Sequence, residues 1–134
     1  MISKLINSKE HHLRPKWFLR QAGRHIPDYH LIRNKHKSFI DFCLEESSIV
    51  EATLLPLKYY NIDAAILFSD ILVIPHCLGQ KVTFKKNLGP LLQNIEINKT
   101  FLEKNINFND LTPIKNALIK VRKTIPSTKD LIGF

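Results

Sequence analysis

An unbroken apolar run, Asp63-Ala64-Ala65-Ile66-Leu67-Phe68, constrains this chain more than any other feature. Successive strand residues point to opposite faces, so a strand with one wet face alternates polar and apolar side chains. A run without alternation suits a strand covered on both faces, as in a parallel sheet flanked by helices. A second such run begins at Asp130-Leu131-Ile132-Gly133-Phe134. Between them, Ile114, Leu118 and Val121, with Ala117, recur at helical spacing and make one apolar stripe. Thr112-Pro113 has the form of a helix start, a capping hydroxyl followed by a residue whose missing N–H is not needed there. Pro126 ends that helix. Strand, helix, strand is a βαβ unit, whose crossover is expected to be right-handed. Two parallel strands can neither close a sheet nor cover both of its faces, so the sequence starts an architecture without finishing it.

Other segments fit around this unit. Residues 1–14 are polar and basic and read as a loose arm. Ser38 to Leu44 reads as a short helix, with Phe39, Phe42 and Cys43 on one face. Ser48-Ile49-Val50-Glu51 has capping-box form, a hydroxyl with Glu three residues on. Val50, Leu54 and Leu57 then follow helical spacing, and Pro56 is expected to kink or shorten that helix. Val82 and Phe84 alternate with polar residues, Leu88-Gly89-Pro90 signals a turn, and Ile95 and Ile97 alternate again. The reading is a small hairpin excursion inside the βαβ unit.

Charge narrows the function less than its size suggests. The chain carries 20 basic and 12 acidic residues, a formal +8. Nucleic acid, a membrane surface or an acidic small molecule would each suit that sign. However, 15 of the cations are Lys, and the chain also holds 17 Ile and 10 Asn. That combination reads as compositional drift, with most Lys simply solvated, and no nucleic-acid partner is expected. Four of the five Arg (Arg14, Arg20, Arg24, Arg33) fall in the first 33 residues. In a Lys-biased chain they suggest a need for the planar fork that grips carboxylate or phosphate. Cys43 and Cys77 form no metal or disulfide framework, and the adjacent His11 and His12 read as surface residues. The apolar region from Ile62 to Pro75 is broken by Asp63 and Asp70 and is too short to span a membrane. No signal peptide precedes it, so the expected location is the cytoplasm.

Two constellations carry chemistry. In Trp17-Phe18-Leu19-Arg20-Gln21-Ala22-Gly23-Arg24, two Arg stand four apart around an amide, a small residue and Gly. They can converge with backbone N–H groups on an anion, or stand as exposed Arg beside an aromatic anchor. In Phe68-Ser69-Asp70-Ile71-Leu72, Asp70 follows a buried strand, where α/β folds place functional groups. It is either a catalytic carboxylate or the cap of the next turn.

Together these residues resemble a known family. "PKWFLRQAGRHIPDYH" at residues 15 to 30 closely resembles the N-terminal signature of uroporphyrinogen decarboxylases. "IDAAILFSDIL" at 62 to 72 resembles the second signature, with Ile62 where Leu is usual. "ATLLPLKYYN" has the helix and Pro expected between them, and "LIGF" resembles the start of a third signature. The resemblance covers roughly residues 13 to 134. His25, Ile26 and His30 depart from the usual residues, at peripheral positions.

The resemblance implies the N-terminal fragment of a (β/α)8 TIM barrel, an α/β fold, with about two of its strands present in a single incomplete domain, residues 1–134. It implies decarboxylation of the four acetate arms of uroporphyrinogen to give coproporphyrinogen, with no cofactor and no metal, in a homodimer. Arg20, Gln21, Ala22, Gly23 and Arg24 match the family's substrate-binding loop, and Asp70 matches its central aspartate. A whole barrel needs about 250 residues. The isolated chain is therefore expected to be inactive, as a truncation, a split-gene half or a non-catalytic remnant. A methyl-transfer relative on the same barrel would rely on metal-binding His and Cys further on, and the Arg-Gln-Ala-Gly-Arg loop argues against it. A small basic nucleic-acid-binding domain would require its cations on one face.

Overall fold

The computed structural model describes residues 2–8, 12, 14–19, 21–85, 88–96, 98–100 and 108–133. The parallel unit forms as the apolar runs require. Strand β1 (Ala64–Ile66) pairs in parallel with strand β4 (Asp130–Ile132), with Ala65 opposite Leu131. Ala64, Ala65 and Leu67 are buried. Small side chains at Ala64 and Ala65 let covering elements approach the strand closely, which is how a sheet excludes water on both faces.

The other edge of β1 is occupied too. Lys16 N–H donates to Asp63 Oδ2 at 2.7 Å, and Asp63 N–H donates back to the Lys16 carbonyl at 2.7 Å. Further along, the Gln21 side chain bonds the backbone of Ala64 and Ile66. Lys16 and Gln21 thus meet successive parts of this edge, Lys16 through its backbone and Gln21 through its side chain. β1 is flanked by β4 on one edge and bonded by Lys16 and Gln21 on the other.

Five helical segments cover the strands or lead to them. Helix α2 (Pro27–Arg33) starts at a Pro, preceded by Ile26 in extended conformation, as a residue before Pro prefers. Helix α3 (Phe39–Cys43) is the short inward-packing helix expected, and the capping box of this chain sits here: Ser38 Oγ accepts from Asp41 N–H and Asp41 Oδ2 from Ser38 N–H. Helix α4 (Glu46–Tyr59) does not start at Ser48 as the Ser-Ile-Val-Glu pattern suggests. Glu45 caps it, taking the N–H groups of Ser47 and Ser48. Those bonds outweigh partial burial and bring the Glu45 carboxyl down to about 2. Ser48 lies inside the first turn, buried, with its hydroxyl 2.7 Å from His36 Nε2. A carboxylate three residues earlier offers the helix start two acceptor oxygens, and it wins over a single hydroxyl.

Helix α4 continues through Pro56 for one more turn, so Pro56 does not shorten it. Its buried side is wider than the expected stripe: Ile49, Ala52, Thr53 and Leu55 are buried, while Val50, Leu54 and Leu57 are half-buried. The helix is wedged between two groups of neighbours. Ala52 and Leu55 join Ile26, Tyr29, Ile32 and Phe42 in one core. Ile49 joins Leu67 and Ala117 in a second, and Phe68 packs against both.

Helix α5 (Val73–Cys77) follows β1, and helix α6 (Thr112–Thr124) is the crossover back to β4. A 3-10 turn, Phe108–Leu111, leads into α6, which places Leu111 at the cap position and Thr112 inside the helix. Ala117 and Val121 are buried against α4, Ile114 is half-buried, and Ile125 extends the same row. Leu118 departs from the expected stripe, at 40% exposure. It sits a third of a turn from Ala117 and faces away from α4. Lys120 reaches Glu46 at 2.6 Å and ties α6 to the start of α4. The fifth arginine, Arg122, donates to the carbonyls of Ile125, Pro126 and Lys129, so its fork holds the turn into β4.

The excursion is a hairpin, as expected, with a different register. Strand β2 (Val82–Lys85) pairs antiparallel with strand β3 (Gly89–Leu92), and Phe84 faces Pro90. Gly89 and Pro90 therefore belong to β3 rather than to the turn. Gly89 takes a φ of 80°, where Gly has no Cβ to clash. Ile95 lies beyond the strand, and Ile97 lies outside the described residues. Residues 1–14 are not wholly a loose arm. Ile2–Ser8 forms helix α1, and the Ser3 N–H and hydroxyl bond the Asp130 carboxylate at the start of β4.

Candidate active site at the carboxyl end of β1

β1 brings both sequence constellations to its carboxyl end. Leu19, Gln21 and Ala22 share a small cavity of ≈ 140 Å³ with Ile66, Leu67, Phe68 and Ser69. Leu19, Gln21 and Ala22 thus face the exit of β1, one residue before Asp70. Arg20, expected in this loop, lies outside the described residues. Ala22 and Gly23 are half-buried, and Gly23 opens a turn in which its carbonyl accepts from Ile26 N–H at 3.0 Å. A Cβ on Gly23 would stand 3.4 Å from His25 Nδ1, an ordinary side-chain contact.

Arg24 is exposed. Its carbonyl accepts from His30 Nε2 at 3.0 Å, and no bond to its guanidinium is found among the described residues. Arg33 is engaged: it donates to the His36 carbonyl at 2.9 Å and lies 5.9 Å over the Phe39 ring. Of these two arginines, Arg24 is the one whose fork is available to a ligand.

Asp70 is half-buried. Its Oδ1 accepts from Leu72 N–H at 2.9 Å, so it does cap the turn into α5. Oδ2 has no bonded donor among the described residues, which leaves the carboxylate able to do a second job. Asp70 lines a groove of ≈ 500 Å³ with Ser69, Ile71, Val73, Ile74, Leu111, Ile114 and Lys115. The strand exit itself is fixed from below: Phe68 N–H donates to the buried Thr53 Oγ1 at 2.9 Å, and that hydroxyl donates to the Ile49 carbonyl at 2.7 Å. Phe68 is also gripped by rings, 4.5 Å from Phe42 and 6.0 Å from Tyr29, centre to centre.

Tyr29 connects the two constellations electrostatically. Burial pushes its hydroxyl up, as do Cys43 and Asp70, while Arg33 and Arg24 oppose them. Arg24 and Asp70 therefore act on one buried group from their separate loops. Burial and the Asp70 charge push the Cys43 thiol up to about 12, so it is no nucleophile. Thr53, Tyr29 and Lys115 were not legible as site neighbours in the sequence, because each comes from a helix whose docking partner is distant in the chain. Among the described residues no group of three His, Cys, Asp or Glu could hold a metal, and no described helix is long and apolar enough to cross a membrane. His11 lies outside the described residues.

The chain is similar to known proteins along nearly all of its length. The profile of the family described as uroporphyrinogen decarboxylase (URO-D) matches residues 1–134. The chain is 48% identical over 122 residues to a protein named uroporphyrinogen decarboxylase from Rickettsia felis, covering 90% of this chain and 35% of that protein. Its identity to the protein of the same name from Rickettsia canadensis is 48% over 122 residues, 36% of that protein. For Rickettsia bellii it is 45% over 121 residues, again 36% of the relative. The chain thus spans about a third of the length of the curated relatives it matches.

Proposed function

The chain belongs to the uroporphyrinogen decarboxylase family, and on that premise we propose that it forms the N-terminal part of the enzyme that converts uroporphyrinogen to coproporphyrinogen. The observation that supports the reading is that Gln21 and Ala22 share a cavity with Phe68 and Ser69, the residues leading into Asp70 at the end of β1. In a (β/α)8 barrel, the architecture this proposal extends to the full-length protein, that is the end where chemistry sits. β1 and β4 are its first two strands in this reading.

The roles follow from residue chemistry. Uroporphyrinogen is a polycarboxylate. Arg20 and Arg24 hold its acid arms through two-pronged, charge-assisted hydrogen bonds, and Ala22 and Gly23 keep the loop small enough for the macrocycle to approach. Gln21 stands in the same loop. Asp70 accepts the pyrrole N–H groups. Protonation of a pyrrole carbon makes the ring cationic, and the bond between the acetate methylene and its carboxylate breaks. Its electron pair moves into the ring and carbon dioxide leaves. A second proton adds to the methylene, making a methyl, and the ring proton is returned, so one proton is consumed per carboxyl group lost. The Asp70 carboxylate stabilises the positive charge as it forms, without having to move.

This chemistry calls on no cofactor and no metal. A second copy of the full-length enzyme is the expected partner, nucleic acid and membrane are not, and the compartment is the reducing cytoplasm, where Cys43 and Cys77 stay free thiols. The test is an assay for coproporphyrinogen with residues 1–134 alone, with the complementary remainder of a relative, and with a full-length protein carrying this segment. Product is expected from the last and, where the halves associate, from the mixture. No decarboxylation by the full-length protein would overturn the reading. Turnover by residues 1–134 alone would overturn the division of labour.

A further inference from the structure

β1 has donors and acceptors on two edges, and they are used differently. Toward β4, the Asp63 carbonyl accepts from Asp130 N–H at 2.9 Å, and Leu67 N–H donates to the Ile132 carbonyl at 3.0 Å. On the opposite edge the alternate groups are the Ala64 carbonyl and Ile66 N–H. Both are met by one side chain: Gln21 Nε2 donates to the Ala64 carbonyl at 2.9 Å, and Gln21 Oε1 accepts from Ile66 N–H at 3.0 Å. In a parallel ladder a single residue of the neighbouring strand makes this pair of bonds. The carboxamide has one donor group and one acceptor, and it substitutes for that residue. Gln21 is 6% exposed, so the pair is shielded from water.

We infer that Gln21 is a positioning residue of the site, a side chain that acts as one residue of a strand and locks the Arg24 loop to the strand that carries Asp70. The covalent paths are short. Gln21 lies three residues before Arg24, and Ile66 lies four before Asp70. The clamp is therefore the shortest connection between the two constellations that does not pass through the core. A carboxamide turned toward substrate would leave the Ala64 carbonyl and Ile66 N–H buried without partners, the costly side of hydrogen bonding. Only Gln has both the reach and the two-sided chemistry. Asn is a methylene shorter, and Glu offers acceptors alone until it is protonated.

That last difference supplies the test. In the full-length enzyme, Gln21→Glu sets an ionised oxygen against the Ala64 carbonyl; protonated, it donates there and restores the pattern. Among the described residues, the charged groups on the surrounding elements are Lys16 and Asp63 at one end of β1, Asp70 at the other, and Arg24 in the loop that follows Gln21. Relative to the unsubstituted enzyme, kcat of Gln21→Glu is expected to be about tenfold lower at pH 8 and to recover as pH falls below about 6, with KM changed less than about twofold. Hydrogen exchange at Ile66 N–H should lose and regain protection over the same pH range. This kinetic arm rests on the proposed activity; the exchange arm does not, so an enzyme without decarboxylase activity but with a protected Ile66 N–H would sink the activity alone. In the unsubstituted protein the Gln21 side-chain N–H should exchange slowly and keep its resonance when a tetrapyrrole polycarboxylate is added. A raised KM with kcat intact, an unchanged Ile66 exchange rate in the variant, or a Gln21 side-chain resonance that moves on adding the polycarboxylate would each overturn the inference.

Discussion

The two ends of β1 differ in what their polar groups are doing. At the amino end the polar groups serve the fold. Asp63 is bonded to Lys16, the Lys129 ammonium donates to the Ile62 carbonyl, and Asp130 is bonded by Ser3. The Arg122 fork holds three carbonyls in the turn leading to β4. At the carboxyl end one Asp70 oxygen has no bonded partner among the described residues, and a groove opens beside it, while in the loop after Gln21 the Arg24 guanidinium is likewise unbonded among the described residues. A half-buried carboxylate oxygen left without a bonded donor, as at Asp70, is costly to keep for stability alone. The difference separates an end that holds the sheet from an end that is free to hold a ligand, the division expected of an α/β barrel.

The sharpest test of this division is Asp70→Asn in the full-length enzyme. Asn keeps an oxygen for Leu72 N–H and removes the charge, so the turn survives and the electrostatic role does not. Turnover should fall by roughly 10²–10³, with a thermal midpoint close to the parent's. Near-native turnover would place Asp70 with the structural groups and erase the contrast.

Arg24→Lys should follow, with kcat/KM down by roughly tenfold to a hundredfold, the worth of a charge-assisted, two-pronged bond to a carboxylate. Steady-state kinetics with uroporphyrinogen checks it; equal values for parent and variant would leave Arg24 a solvated cation.

At the amino end the expected effect reverses in kind. Asp63→Ala removes the acceptor of Lys16 N–H, a bond to a charged group, and should cost about 1.5 kcal/mol of stability. Turnover per folded molecule should hardly change. A urea titration together with active-site-normalised rates would show whether the loss is one of stability or of catalysis.

The smallest effect is a pH dependence of stability. Burial raises the Asp130 carboxyl, but the hydrogen bonds it accepts from the N-terminal amine, Ser3 and Ile2 outweigh it and bring it down from 3.8 to about 2. The folded value lies below the unfolded one. The stabilisation is therefore present above about pH 4 and is lost as pH falls through about 2. Asp130→Asn should flatten the acid limb of a stability–pH profile measured from pH 5 to 2. Because this group is largely solvated, the change should be a small fraction of total stability.

Much of this protein was legible in its sequence. The unbroken run at 63–68 fixed a buried strand, because no half-wet strand can carry it. The stripe of Ile114, Ala117 and Val121 fixed the crossover helix, and both chemical constellations could be named. Chain neighbours decide such features, since side-chain period and backbone preference are local properties. The start of α4, the inner face of α6 and the hairpin register were read less well. Ser48 lost the cap to Glu45, Leu118 turned outward, and Gly89-Pro90 became strand, each because a partner element offered a better arrangement than local pattern implied. The role of Gln21's side chain was beyond any local reading. A glutamine in a loop between two arginines looks like part of an anion grip. Only the folded chain brings it against Ala64 and Ile66, more than forty residues away, because a hydrogen bond depends on position in space and the sequence states only order.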